Sequence, residues 1–113
     1  MKKLNKIMLA LSILPTLLTS VFLFFMNDTV PMHYNASGAV DRYGSKYENF
    51  ILPAIILFMY AFYMVYTKIY TKYSTNSVEK INNNVKITAI LVTTIIAAFN
   101  ILQLMFLILA VLK

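Results

Sequence analysis

The sequence predicts an all-α integral membrane protein: a bundle of three transmembrane helices with an ordered extracytoplasmic loop between the first two. Three observations carry this expectation. The chain has 113 residues, 60% of them apolar, above the roughly 45–50% of soluble domains, and its mean hydropathy is +0.73. Three runs free of formal charge, "IMLALSILPTLLTSVFLFFM" (7–26), "FILPAIILFMYAFYMVY" (50–66) and "ITAILVTTIIAAFNILQLMFLILAVL" (87–112), fit the roughly 17–25 residues of a spanning helix or exceed it. The basic residues gather in short flanks, seven of them in residues 1–6 and 67–86 against two in residues 27–49. That bias places the N-terminus inside and residues 27–49 outside a cell membrane, with the C-terminus outside too despite Lys113.

The first helix is expected over about residues 5–26. Its basic start and apolar body could be a signal peptide, but the run is longer than a typical leader core and ends in "FLFFMNDTV" without a small-x-small site, so it reads as a retained anchor. Pro15 interrupts the helix and frees one backbone carbonyl, which neighbouring groups must satisfy in a membrane. Ser12, Thr16 and Ser20 recur at i, i+4, i+8 and form a small-residue packing face. The outer loop, residues 27–46, opens with the turn formers "NDTVP". "NASG" supplies one turn, with Gly38 free to take positive φ, and "RYGSK" a second.

The second helix is expected over residues 47–70, capped by the box pattern Ser45-x-x-Glu48. Pro53 kinks it if it starts at Ser45 and sits in its first turn if it starts at Asn49. Tyr60, Tyr63, Tyr66, Tyr70 and Tyr73 share one face, suited to packing and to anchoring at the headgroup level. Residues 71–86 read as an asparagine-rich cytoplasmic loop, with room for a short amphipathic helix. The third helix, residues 87–111, is longer than a bilayer requires and so should tilt. Asn100 and Gln103, one turn apart near its middle, must face another helix or a partner. Together these segments form a single membrane domain over residues 1–113, with no soluble domain beside it.

Composition excludes several function classes. There is no cysteine, hence no disulfide, thiolate nucleophile or cysteine-based zinc site. The net charge of +6 is a topology signal rather than a nucleic-acid patch. The outer loop holds the only histidine, His33, whose residue type titrates near neutrality. Asp28, Asn35, Asp41 and Glu48 could join it, but their spacing matches no standard metal site, so no metal or other cofactor is expected. His33 as base, oriented by Asp41, with Ser37 or Ser45 as nucleophile, would make an outer-leaflet enzyme; the reading is weak, since nothing in the sequence brings them within reach. Asp41 could equally bond to the nearby backbone or pair with Arg42 or Lys46.

The run Pro31, His33, Tyr34, Asn35, Gly38, Asp41, Gly44, Ser45, Lys46, followed by a proline-bearing apolar helix, resembles the DUF1648 family, a small bacterial membrane domain that also forms the front half of SdpI-type immunity proteins. The resemblance implies an integral membrane module, and the absence of catalytic groups in the sequence makes it a non-enzymatic one. In SdpI-type members that module belongs to a protein about twice as long, which protects the producing cell from its own membrane-active peptide toxin and signals by holding a repressor at the membrane. The expected partners are membrane lipid and a peptide toxin or membrane protein; the family pattern marks the loop as the shared feature without giving any residue a role, and it is the ordered, aromatic-bearing character of the loop that makes these residues the expected binding surface. The alternative is an accessory subunit of a larger transporter or signalling complex, contacted through Asn100, Gln103 and the hydroxyl face of helix 1.

Overall fold

A computed structural model describes residues 2–112; Lys113, expected beyond the outer end of helix 3, lies outside the described residues. Helix α1 spans Lys2–Phe22 and closes in a 3-10 turn, Leu23–Phe25. Strands β1 (Thr29–Tyr34) and β2 (Val40–Ser45) follow, then a 3-10 turn over Lys46–Phe50, helix α2 (Ile51–Tyr73) and helix α3 (Val78–Leu112). All three helices are long and apolar enough to cross a membrane. They run up, down and up, so the start of α1, the end of α2 and the start of α3 share one end. That lysine end carries all seven basic residues of the two inner segments with Glu79 as its one acid, while the hairpin lies at the other end.

The fold is not all-α. The segment expected as an ordered loop is a two-stranded antiparallel hairpin, with Val30 opposite Gly44 and Pro31 opposite Tyr43. "RYGSK", expected as a turn, is mostly strand: β-branched and aromatic residues in both arms favour extended backbone, and the real turn is confined to residues 35–39. Irregularities on either side of His33 leave Met32 and Asp41 without strand partners, the pattern of a bulged and strongly twisted ribbon.

Two other boundaries move for identifiable reasons. Ser77 accepts a hydrogen bond from the Lys80 amide at 3.2 Å, and Glu79 occupies the first turn of α3, where its charge suits the helix dipole. This cap starts α3 at Val78, so the expected loop over residues 71–86 shrinks to residues 74–77. At 35 residues and about 1.5 Å per residue, α3 accounts for most of the 54 Å long axis. At the other boundary, α2 begins at Ile51, which puts Pro53 in its first turn, where the missing amide costs little. The Ser45–Glu48 capping box does not form: Ser45 Oγ accepts from the Tyr47 amide at 3.3 Å, and Glu48 turns away to Arg42.

Lipid tails are as apolar as leucine, so a membrane bundle coheres through close packing and interhelical hydrogen bonds. Met8, Ile56, Tyr63, Ala89 and Ile96 form the central contact, and Met26, Val30, Leu107 and Ala110 bind the hairpin to the end of α3. The buried face of α1 is Met8, Ser12, Pro15 and Thr19; Ser20 points outward, so the expected Ser12–Thr16–Ser20 stripe is displaced by one position at its far end. The tyrosines of α2 keep to one broad face, as spacings of three and four require, but meet different surroundings along it: Tyr63 is buried, Tyr73 is exposed, and Tyr66 and Tyr70 stack with ring centroids 6.0 Å apart.

The polar contacts answer the problem that Pro15 creates inside α1. Pro15 has no amide proton, so the carbonyl of Leu11, four residues earlier, loses its helical partner. Asn100 Nδ2 donates to that Leu11 oxygen at 2.9 Å and to its own Ile96 carbonyl at 2.8 Å. A second amide bridges one turn along α3, here to a carbonyl that lies ahead of α2. The Asn49 carbonyl lies four residues before Pro53, and Gln103 Nε2 donates to it at 2.8 Å and to Thr19 Oγ1 at 2.9 Å. Thr19 passes its own proton to the Pro15 carbonyl at 2.7 Å. Both α3 amides thus spend both N–H groups, and each joins α3 to a proline-bearing segment.

Candidate functional site at the hairpin end

The hairpin is held rigidly before it can present anything. Asn35 Oδ1 accepts from the Ser37 amide (3.0 Å), the Ser37 hydroxyl (2.7 Å) and the Ala39 amide (3.0 Å), a side-chain substitute for backbone turn bonds. Gly38 completes the turn at φ +84°, a conformation that a Cβ would strain. Val30 and Pro31 are buried against the helices, the Lys46 amide donates to the Asp28 carbonyl at 2.9 Å, and the Lys46 ammonium lies 3.5 Å from the Asp28 carboxylate. Asn49, buried under the hairpin, donates to the Lys46 carbonyl at 2.9 Å.

Gly44 has a steric task. A Cβ there would strike the Glu48 carboxylate and come within 2.8 Å of Met32 Cγ, so glycine lets the Glu48 and Met32 side chains lie against the backbone of β2. Of the nine loop residues singled out in the sequence, Pro31, Asn35, Gly38, Gly44, Ser45 and Lys46 therefore build the platform. Tyr34 is half-buried, and its hydroxyl is enclosed without a hydrogen-bond partner among the described residues.

His33 and Asp41 face solvent and touch each other, Nδ1 to Oδ1 at 2.5 Å. Asp41 thus takes His33 as its partner, rather than Arg42 or Lys46. Arg42 is aimed at Glu48, both guanidinium nitrogens lying 3.3–3.4 Å from Oε1. Around these pairs stand the exposed rings of Tyr43 and Tyr47, with Phe24 and Phe25 at the end of α1 projecting sideways at 87% and 69% exposure. Aromatic rings in that position suit a headgroup boundary. The surface on offer combines the His33–Asp41 and Arg42–Glu48 pairs with the exposed Tyr43 and Tyr47 rings.

Chemically this surface can recognise. A histidine paired with an aspartate has a defined tautomer and orientation, but the two candidate nucleophiles are occupied in local structure: Ser37 donates to Asn35, and Ser45 caps the Tyr47 amide. Among the described residues no three histidine, aspartate or glutamate side chains converge as a metal site would require. Thr19 and Asn49 escaped the sequence reading. Their signal was positional, Thr19 four residues after one proline and Asn49 four before the other.

Residues 10–57 match the family model of a domain of unknown function, DUF1648. Over this stretch the chain is similar to DUF1648 domains. The matched stretch takes in Pro15, the whole hairpin and Pro53, and it stops before α3, which supplies Asn100 and Gln103. An uncharacterized protein of Archaeoglobus fulgidus is 42% identical over 67 residues, which make up 59% of this chain and 35% of that protein. The alignment thus spans about a third of that relative's length. The relative is archaeal, so the resemblance reaches beyond bacteria. No solved structure matches the chain.

Proposed function

We propose that this chain is a non-enzymatic membrane module that uses its hairpin, on the outer face of the cell membrane, to recognise a membrane-active peptide, in immunity or in sensing. The observation that carries the reading is the division of labour in the hairpin: one set of residues fixes the ribbon on the bundle, and a second set, His33, Asp41, Arg42, Tyr43 and Tyr47, is left facing outward. A peptide lying at the headgroup level would meet ionic pairs and aromatic faces there. The excess of lysines at the opposite end supports N-terminus inside and hairpin outside. Challenge of cells with and without the chain by a panel of membrane-active peptides tests the immunity form. The reading expects at least one peptide whose inhibitory concentration rises with the chain present; identical sensitivity across the panel refutes it.

A second reading, in which the module works as a subunit beside further membrane helices, is favoured by the greater length of the archaeal relative. Its original motive is weaker, because Asn100 and Gln103 spend their donors inside the bundle rather than on a partner. Purification in mild detergent should then retain a stoichiometric membrane partner, and a stable lone bundle would argue against it.

A further inference from the structure

At the lysine end, α1, the end of α2 and the start of α3 border an open cleft of about 560 Å³. Its wall carries Asn5, Lys68, Thr71 and Lys72, and no acidic side chain lines it. Among the described residues the ion pairs are His33–Asp41, Arg42–Glu48 and Lys46–Asp28, all at the hairpin end, so neither cleft lysine has a carboxylate partner, although the Lys72 ammonium lies over the Tyr73 ring at 5.3 Å. The Asn5 amide is oriented too. Its Oδ1 accepts the Tyr63 hydroxyl at 3.3 Å, which leaves the NH2 group as the free end. One turn deeper along α2, Met64 and Val65 continue the same wall with apolar surface.

We propose that this cleft binds the phosphate of an anionic phospholipid, with Lys68, Lys72, Thr71 and the Asn5 amide as donors and the acyl chains running along Met64 and Val65. Donors and cations at the mouth, with apolar wall below, match a ligand that is an anion at one end and hydrocarbon at the other. Basic clefts between membrane helices at the cytoplasmic boundary are suited to such headgroups. The shared chemistry is a phosphate, which could come from a lipid or from solution; the apolar continuation favours the lipid. The inference goes beyond the hairpin reading and concerns the opposite end of the molecule.

The test is native mass spectrometry of the full chain released from neutral detergent, titrated with dioleoylphosphatidylglycerol, dioleoylphosphatidylcholine, glycerol phosphate and inorganic phosphate. A one-to-one phosphatidylglycerol adduct is expected, with phosphatidylcholine binding more weakly. The K68Q/K72Q pair should weaken the adduct by about tenfold or more, equal to ~1.4 kcal/mol. The K80Q/K86Q pair removes the same charge from α3 outside the cleft and should change it by less than about twofold, under ~0.5 kcal/mol. Asn5→Asp keeps an acceptor for Tyr63 but puts a negative charge at the cleft, and it should weaken the adduct as well. Equal weakening in both lysine pairs would overturn the proposal in favour of diffuse surface attraction. Equal binding of phosphatidylcholine would remove its charge basis, and displacement of the lipid by millimolar glycerol phosphate or inorganic phosphate would assign the cleft to a soluble anion.

Discussion

Replacing Asn100 with leucine removes the amide that satisfies the carbonyl freed by Pro15. The bond is short, 2.9 Å from Nδ2 to the Leu11 oxygen, and the amide is half-buried between α1 and α3. Interhelical hydrogen bonds in membranes average about 0.6 kcal/mol and reach about 1.7, while a buried acceptor left unpaired costs about 1–3. Asn100→Leu should therefore destabilise the bundle by about 1–2 kcal/mol. The diagnostic quantity is its coupling to residue 15. In Pro15→Ala the new amide at position 15 reaches Leu11 along the helix, so the later loss of Asn100 no longer strands that carbonyl. The bond from Asn100 to Ile96 is lost in both backgrounds and cancels. Unfolding in mixed micelles of graded dodecyl sulfate content, followed by circular dichroism, gives the four stabilities of the cycle. A coupling of about 1 kcal/mol is expected; additivity within the roughly 0.3–0.5 kcal/mol shown by independent sites would refute the pairing of proline with amide.

Gln103→Leu should cost at least as much as Asn100→Leu, because it strands both the Asn49 carbonyl and the Thr19 hydroxyl as acceptors; a cost under about 0.5 kcal/mol, the range of ordinary surface changes, in the same unfolding assay would contradict this. Gly38→Val should loosen the hairpin through backbone strain alone, since nothing lies within 4 Å of a Cβ built there, whereas Gly38→Asn, which tolerates positive φ, should be mild. Faster proteolysis of the valine variant in the turn, with the asparagine variant close to the parent, is the expected readout. Gly44→Val should push the Glu48 carboxylate aside and part it from Arg42, with faster proteolysis of the hairpin than in the parent as the readout. Single cysteines at Ser37 and Asn83, both exposed, should label from outside and inside respectively; the reverse pattern would invert the topology.

The helical frame was legible because a spanning helix announces itself through length and the absence of charge, and both survive without knowledge of the partners. The hairpin was not. Its arms are six residues each, interrupted by bulges and carrying polar residues on the exposed face, so alternation is too short and broken to separate from a turn-rich loop. The start of α3 was missed because asparagines favour turns in isolation, and only the Ser77 cap together with the bond from Asn84 to Tyr70 at 2.8 Å draws "NNN" into a helix. The polar core was half visible. Pro15 implied a freed carbonyl and Asn100 an unmet amide, and the sequence could state both needs without matching them, since the match depends on the relative height of two helices. Among loop residues, type and spacing marked the segment, while the distinction between platform and surface required the register: Gly44 is there for Met32 and Glu48, and His33 for the outward face.

The proposed recognition role puts function on the outward face of the hairpin rather than on the bundle beneath it. The decisive measurement is peptide sensitivity of cells producing the parent chain, His33→Ala, Asp41→Ala or Tyr43→Ala, each normalised to its abundance in the membrane. These side chains are exposed and outside the helices, so the three variants should insert and accumulate like the parent. That role predicts that protection, once found for a peptide, falls in all three at unchanged abundance. Full protection in all three would contradict it and leave the hairpin as a structural cap on a three-helix bundle.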